Sequence, residues 1–294
     1  MQAGDVTLGQ VFANDQQNVI PLFQRPYVWD QERNWEPLWL DVRQATEEVE
    51  AESEAQQIYH ERRTYFLGAV VIQQRFKRPQ RIASCNVVDG QQRLTTLQIL
   101  LAAARTVAFE IGETATSARF GSLIENRSEV VHQDYPDDRF KVWPLPLDRK
   151  VFLWAVQHPK APTESPDPSH RLTRARHWFE ETIREWVRES ENPGIRLEYL
   201  HDTLKDRMEL VQITLGPHDD PQVIFEVLNH RGVPLDAADL IKNLLFQVLD
   251  EQGKHAEAEL LLGKRCWIKP PSLDTGPPTL SLQQHSVVPP SIPY

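Results

Sequence analysis

The sequence predicts an α+β fold: a small α/β unit over residues 1–112, a mainly helical region over 113–265, and a tail without regular structure over 266–294. Three observations predict it. Two runs rich in β-branched residues, 65–72 and 82–88, lie close together before residue 90. Beyond residue 112 apolar residues recur mainly at helical spacing, with one short extended piece at 209–215. From Cys266 onward the chain is rich in Pro, Ser, Thr and Gln and has no period.

Each element follows from local pattern. Thr7 opens a short helix over 7–14 that carries Leu8, Val11 and Phe12. Residues 18–23 are extended, and Pro21 marks them as an edge strand. Residues 24–29 form a loop. Asp30 then caps a helix with apolar positions Trp35, Leu38, Trp39, Val42, Ala45 and Val49, and its acidic run from Glu47 to Glu54 reads as a solvated end. The apolar run 65–72 is a strand buried on both faces. A basic loop over 73–81 joins it in a hairpin to the strand 82–88. The helix over 91–109 is apolar on more than one face, so it is covered on two sides. Residues 115–165 carry Pro136, Pro144, Pro146, Pro159 and Pro162 and read as irregular. Helices follow near 170–190, 196–205, 221–229 and 237–252.

Bulk properties narrow the function. With 40% hydrophobic and 25% charged residues among 294, the chain is an ordinary globular protein with length for a real core. A net charge of -10 argues against non-specific DNA binding over a broad face but leaves room for a local basic cleft. Two cysteines cannot make a disulfide framework, and no Cys/His spacing suggests zinc. The polar N-terminus and reduced thiols point to the cytoplasm, and no apolar run approaches the roughly 18 residues that span a bilayer.

The stretch Asp89-Gly90-Gln91-Gln92-Arg93-Leu94-Thr95-Thr96 ends a strand, turns at glycine and starts a helix. An arginine there faces the positive end of the helix dipole, which disfavours it by roughly 0.3–1 kcal/mol. An anion would offset that cost, and free N–H groups at a helix start bind phosphate. The plainer alternative is structural: Asp89 as N-cap, Gly90 for a tight turn, Arg93 paired with a nearby carboxylate.

Three ordered blocks carry a resemblance. They are Ile20-Pro21-Leu22-Phe23-Gln24-Arg25-Pro26-Tyr27-Val28-Trp29; Tyr65-Phe66-Leu67-Gly68 running on to the Asp89–Thr96 stretch; and Phe225-Glu226-Val227-Leu228-Asn229-His230-Arg231-Gly232-Val233-Pro234-Leu235 with Asp239-Leu240-Ile241-Lys242-Asn243. Together they resemble the N-terminal domain of GmrS/GmrD-type, modification-dependent restriction proteins over roughly residues 5–255. The resemblance implies a ParB/sulfiredoxin-like unit followed by a helical region. It implies binding and hydrolysis of GTP or another nucleoside triphosphate with Mg²⁺ at the Asp-Gly-Gln-Gln-Arg turn, and a role in phage defence. The implied partners are modified DNA and a nuclease domain or partner nuclease, with homo-oligomers compatible. A His-centred nuclease cluster is not found after residue 255, where His285 stands alone, so the nuclease half is expected to be missing and the tail to be aberrant.

On this reading the catalytic candidates are Asp89, Gln92 and Arg93, with Asp89 also the Mg²⁺ ligand. The nucleotide would be held by Gln24, Arg25, Tyr27, Gly90, Gln91, Thr95, Thr96, Asn229, Arg231 and Lys242. For Tyr27 and Trp29 the alternative is core packing beside Trp35 and Trp39. For Lys242 it is a solvated helix position paired with Asp239. Arg75, Lys77, Arg78 and Arg81 are candidate DNA contacts, or else a hairpin tip kept soluble by charge. A non-catalytic module that clamps DNA or nucleotide, and an inactive remnant of a longer protein, are the competing functions.

Overall fold

In the computed structural model, residues 1–54, 63–160, 164–216, 219, 221, 223 and 224 are described. They form one mixed sheet with helices packed around it, an α+β fold. In chain order the strands are β1 (Gln2–Thr7), β2 (Gln16–Val19), β3 (Tyr65–Gln74), β4 (Ala83–Asp89), β5 (Val142–Trp143) and β6 (Met208–Leu215). The α-helices are α1 (Leu8–Ala13), α2 (Glu36–Glu54), α3 (Gln91–Glu110), α4 (Thr114–Ser122), α5 (Pro146–Ala155), α6 (Arg171–Arg188) and α7 (Pro193–Asp206).

The sheet runs β1-β6-β3-β4-β2-β5. The β3–β4 hairpin is antiparallel, and β6 lies parallel to β3 on one side and antiparallel to β1 on the other. Strands β5 and β6, which come from beyond residue 112, thus complete a sheet begun by the first four. Strand β2 is not an edge. It lies between β4 and β5 and ends at Val19, so Pro21 falls past it and never interrupts the ladder.

Helix α3 is the axis of the core. Of its 20 residues 17 are buried, including Leu94, Leu97, Ile99, Leu100 and Leu101. A helix apolar all round needs cover all round; α4 and α6 pack on it directly. The segment 115–165 is less irregular than its prolines suggest. Pro146 sits in the first turn of α5, where a missing N–H costs nothing, and Phe120 anchors α4 in the core.

The acidic run of α2 is not a solvated end. Glu47 accepts from Arg43 Nε at 2.8 Å and Trp186 Nε1 at 2.9 Å. Glu48 accepts from Arg63 and the Tyr65 hydroxyl. Glu50 pairs with Arg196 at 3.2 Å and Glu52 with Arg207 at 3.3 Å. The carboxylates tie α2 to α6, α7 and the chain before β6. Each half-exposed pair alone would count for little; their role is register.

Lys141, just before β5, is 1% exposed and donates to Asn14 O at 3.1 Å and Asn126 Oδ1 at 2.8 Å. Burial pulls its ammonium down to about 8. Between about pH 8 and 10.5 the unfolded chain holds this proton and the folded chain does not, so raising pH favours the fold. Wild type should therefore gain stability relative to Lys141→Met across that window. Urea titrations at the two ends would measure it, and parallel pH profiles would contradict it.

Candidate functional site

The turn from β4 into α3 is built on two glycines. Gly90 has φ 89°, and a Cβ there would lie 2.7 Å from Val70 Cγ1 and 3.1 Å from Ala69 O. Only glycine fits that approach and that backbone. Gly90, not Asp89, is the N-cap; its carbonyl accepts from Leu94 N at 3.0 Å. The amides of Gln91, Gln92 and Arg93 are the donors that a helix start leaves over. With no capping duty, the Asp89 carboxylate makes no hydrogen bond or ion pair among the described residues.

The second glycine makes room for Arg93. Gly68 has φ 109° at a register shift between β3 and β6, and a Cβ on it would lie 2.6 Å from Arg93 Nη2 and 2.7 Å from Cζ. The guanidinium lies across this gap and donates from Nη1 to Ala69 O at 2.7 Å. Burial lowers its affinity for the proton, an effect the charge of Asp89 opposes. Arg93 makes no ion pair among the described residues, so the cation remains unpaired at the positive end of a helix.

The amide pair serves a different purpose. Gln91 Nε2 donates to Gln24 Oε1 at 2.9 Å and Arg25 O at 3.0 Å. Gln92 Nε2 donates to Pro26 O at 3.1 Å, while its Oε1 accepts from Val28 N at 2.9 Å. Gln24 Nε2 in turn donates to Val88 O at 2.7 Å. Both glutamines are thereby committed to strapping the loop 24–29 onto the start of α3. Gln24, Gln91 and Gln92 are brought together, but as a clamp.

Tyr27 and Thr96 lie inside, at 6% and 0% exposure. Trp35 Nε1 donates to the Tyr27 hydroxyl at 2.9 Å, that hydroxyl meets Thr96 Oγ1 at 2.7 Å, and Thr96 Oγ1 donates to Gln92 O at 2.8 Å. Because Thr96 spends its proton on Gln92, Tyr27 must donate to Thr96. Burial pushes the Tyr27 phenol well above its usual range. This is the packing alternative for Tyr27, and Trp29 also packs against the core. Tyr27→Phe should cost about 1–3 kcal/mol, because Trp35 Nε1 loses its buried acceptor. A urea midpoint equal to wild type would refute the chain's importance. Thr95 is buried too, at 4%, whereas Arg25 is exposed, with only its carbonyl held by Gln91.

Three residues that hold this loop are not evident from the sequence. Asp148 on α5 accepts from Tyr27 N at 2.9 Å and faces His170 Nε2 at 3.3 Å, and Arg171 donates to Val28 O. They lie more than a hundred residues from the loop and carry no local signal. Gly68 did carry one: a glycine in a β-branched strand marks a bulge or a close approach.

The basic loop divides. Arg81 is not free for DNA. It grips Asp138 through Nε at 2.8 and 2.9 Å and through Nη2 at 2.5 Å, and it lies 4.5 Å from the Tyr135 ring. Arg75 is half-buried, whereas Lys77 and Arg78 are exposed. This loop and the Gly90 turn sit at opposite ends of β4, roughly 20 Å apart by strand rise. Asn229, Arg231 and Lys242, like the tail with His285, lie outside the described residues.

With this geometry in hand, comparison with known proteins is informative. The family described as "GmrSD restriction endonuclease, N-terminal domain" matches residues 8–246. No curated protein matches the chain.

Proposed function

The chain belongs to the GmrSD restriction endonuclease N-terminal domain family, and from that premise we propose that it is the nucleoside triphosphate-binding and -hydrolysing sensor of a modification-dependent DNA restriction system. One observation carries the reading: Arg93, unpaired with any acid among the described residues, lies beside the free Asp89 carboxylate at the amide-rich start of α3.

A triphosphate would meet the amides of Gln91 to Arg93, the donors left over at the start of α3. Arg93 would supply the charge, with N–H groups left over after Ala69 is served. Exposed Arg25 is a second cation available to the outer phosphates. Asp89, whose carboxylate oxygens are unengaged, would be the residue to hold a Mg²⁺ ion, and the chemistry such an ion would supply is neutralisation of phosphate charge. Asp89 would orient the attacking water, and Arg93 would stabilise charge on the transferred phosphoryl group. Gln92, with both ends of its amide committed, acts as a positioning residue. This domain would sense modified DNA, and a nuclease, in another domain or another protein, would respond to its nucleotide state.

The test is phosphate release from GTP and ATP with Mg²⁺, with and without DNA, for wild type, Asp89→Ala and Arg93→Ala. Turnover confined to wild type supports the reading. Saturable nucleotide binding without released phosphate would reduce the protein to a clamp, and equal turnover in all three would exclude this turn as the site.

A further inference from the structure

We propose that the β3–β4 loop is a docking surface for an unstacked base of a DNA strand, with Phe76 as the stacking platform and Lys77 and Arg78 as phosphate contacts. It rests on DNA being the partner named above, but not on nucleotide hydrolysis. Phe76 is 91% exposed on the β3 side of the loop, between Arg75 and the Lys77–Arg78 pair. Beside it runs a groove of about 870 Å³, walled on the far side by Val130, Val131 and His132. That lies within the range of small-molecule sites, about 300–1,000 Å³.

Charge and anchoring favour this occupant. Most arginines of the described chain are paired with carboxylates, yet Lys77 and Arg78 make no ion pair among the described residues. In a chain of net charge -10 they form a local spot that admits phosphate. Glu129 is the acid lining the groove, which directs a backbone toward the Lys77–Arg78 wall. Arg81 does not join them; held by Asp138, it fixes the base of the loop. A ring projecting from the side of this loop cannot reach the face of a base stacked within a duplex. It can reach one in a single strand or one already extruded, and such stacking tolerates any base.

The experiment is fluorescence anisotropy of the full chain with a labelled oligodeoxythymidine and with a duplex of the same length, in the absence of nucleotide. The single strand should bind more tightly. Phe76→Ala should weaken it about 5- to 150-fold, and Phe76→Trp should restore it. Lys77→Ala with Arg78→Ala should lower the salt slope by about 1.4. Wild-type affinity in Phe76→Ala, equal affinity for duplex and single strand, or no binding of either by wild type would overturn the proposal. Loss of turnover in Asp89→Ala with this surface intact bears on the nucleotide site alone.

Discussion

Arg93→Ala is expected to lower nucleoside triphosphate hydrolysis by about 10³-fold, the lower end of what a transition-state arginine contributes to phosphoryl transfer, while the protein stays folded. The pairing of a large catalytic loss with a small stability change is what separates a functional arginine from a structural one. The wild-type side chain makes one hydrogen bond, to Ala69 O. A charged bond of that kind is worth about 1.5–3 kcal/mol. Against it stand the dipole penalty of about 0.3–1 kcal/mol and the cost of holding a half-buried cation that makes no ion pair, a cost the charge of nearby Asp89 only partly offsets. The two sides nearly offset, so the melting temperature should move by no more than about 4 °C. Calorimetry beside a phosphate-release assay checks both halves. A steep stability loss would mean that Arg93 is holding the fold together, and unchanged turnover would remove it from the chemistry.

Gly68→Ala should reproduce much of that loss from the neighbouring strand, with hydrolysis falling about 10²-fold, the scale of one misplaced charge-stabilising donor. The added methyl would lie 2.6 Å from Arg93 Nη2, so the guanidinium must leave its seat over Ala69. The backbone at φ 109° adds strain of about 1–3 kcal/mol, so this variant should also be less stable, unlike Arg93→Ala. The double variant is the decisive measurement. If Gly68 acts only by seating Arg93, adding Gly68→Ala to Arg93→Ala costs no further activity. Additive losses would show that the glycine matters for another reason.

Much of this molecule can be read from local sequence. The Thr7 cap, the helical periods of α2, α6 and α7, the β3–β4 hairpin and the Asp-Gly turn into a buried helix all rest on neighbours within a few residues. What escapes is whatever a distant segment decides. Strand β1 is polar and largely exposed; only its pairing with β6 makes it a strand. The Glu47–Glu52 run looks solvated until Trp186, Arg196 and Arg207 arrive from elsewhere in the chain. At the candidate site the turn and its arginine were legible, because glycine and dipole arguments are local. The glutamines were legible as important but not as a clamp, since their acceptors sit in the 24–29 loop. Tyr27 illustrates the same limit: an aromatic in a loop can face ligand or core, and the buried hydroxyl of Thr96 decides it.

The insertion of β6 between β1 and β3 also shapes how the protein is made. During synthesis β3 leaves the ribosome on the order of ten seconds before β6, at about 5–20 residues per second. Until then the hairpin offers an open edge beside the apolar Val70, Val71 and Ile72, the kind of edge on which nascent chains aggregate. A host that produces this protein in quantity should need chaperone capacity matched to that interval, and slower elongation after residue 89 would lengthen the exposure.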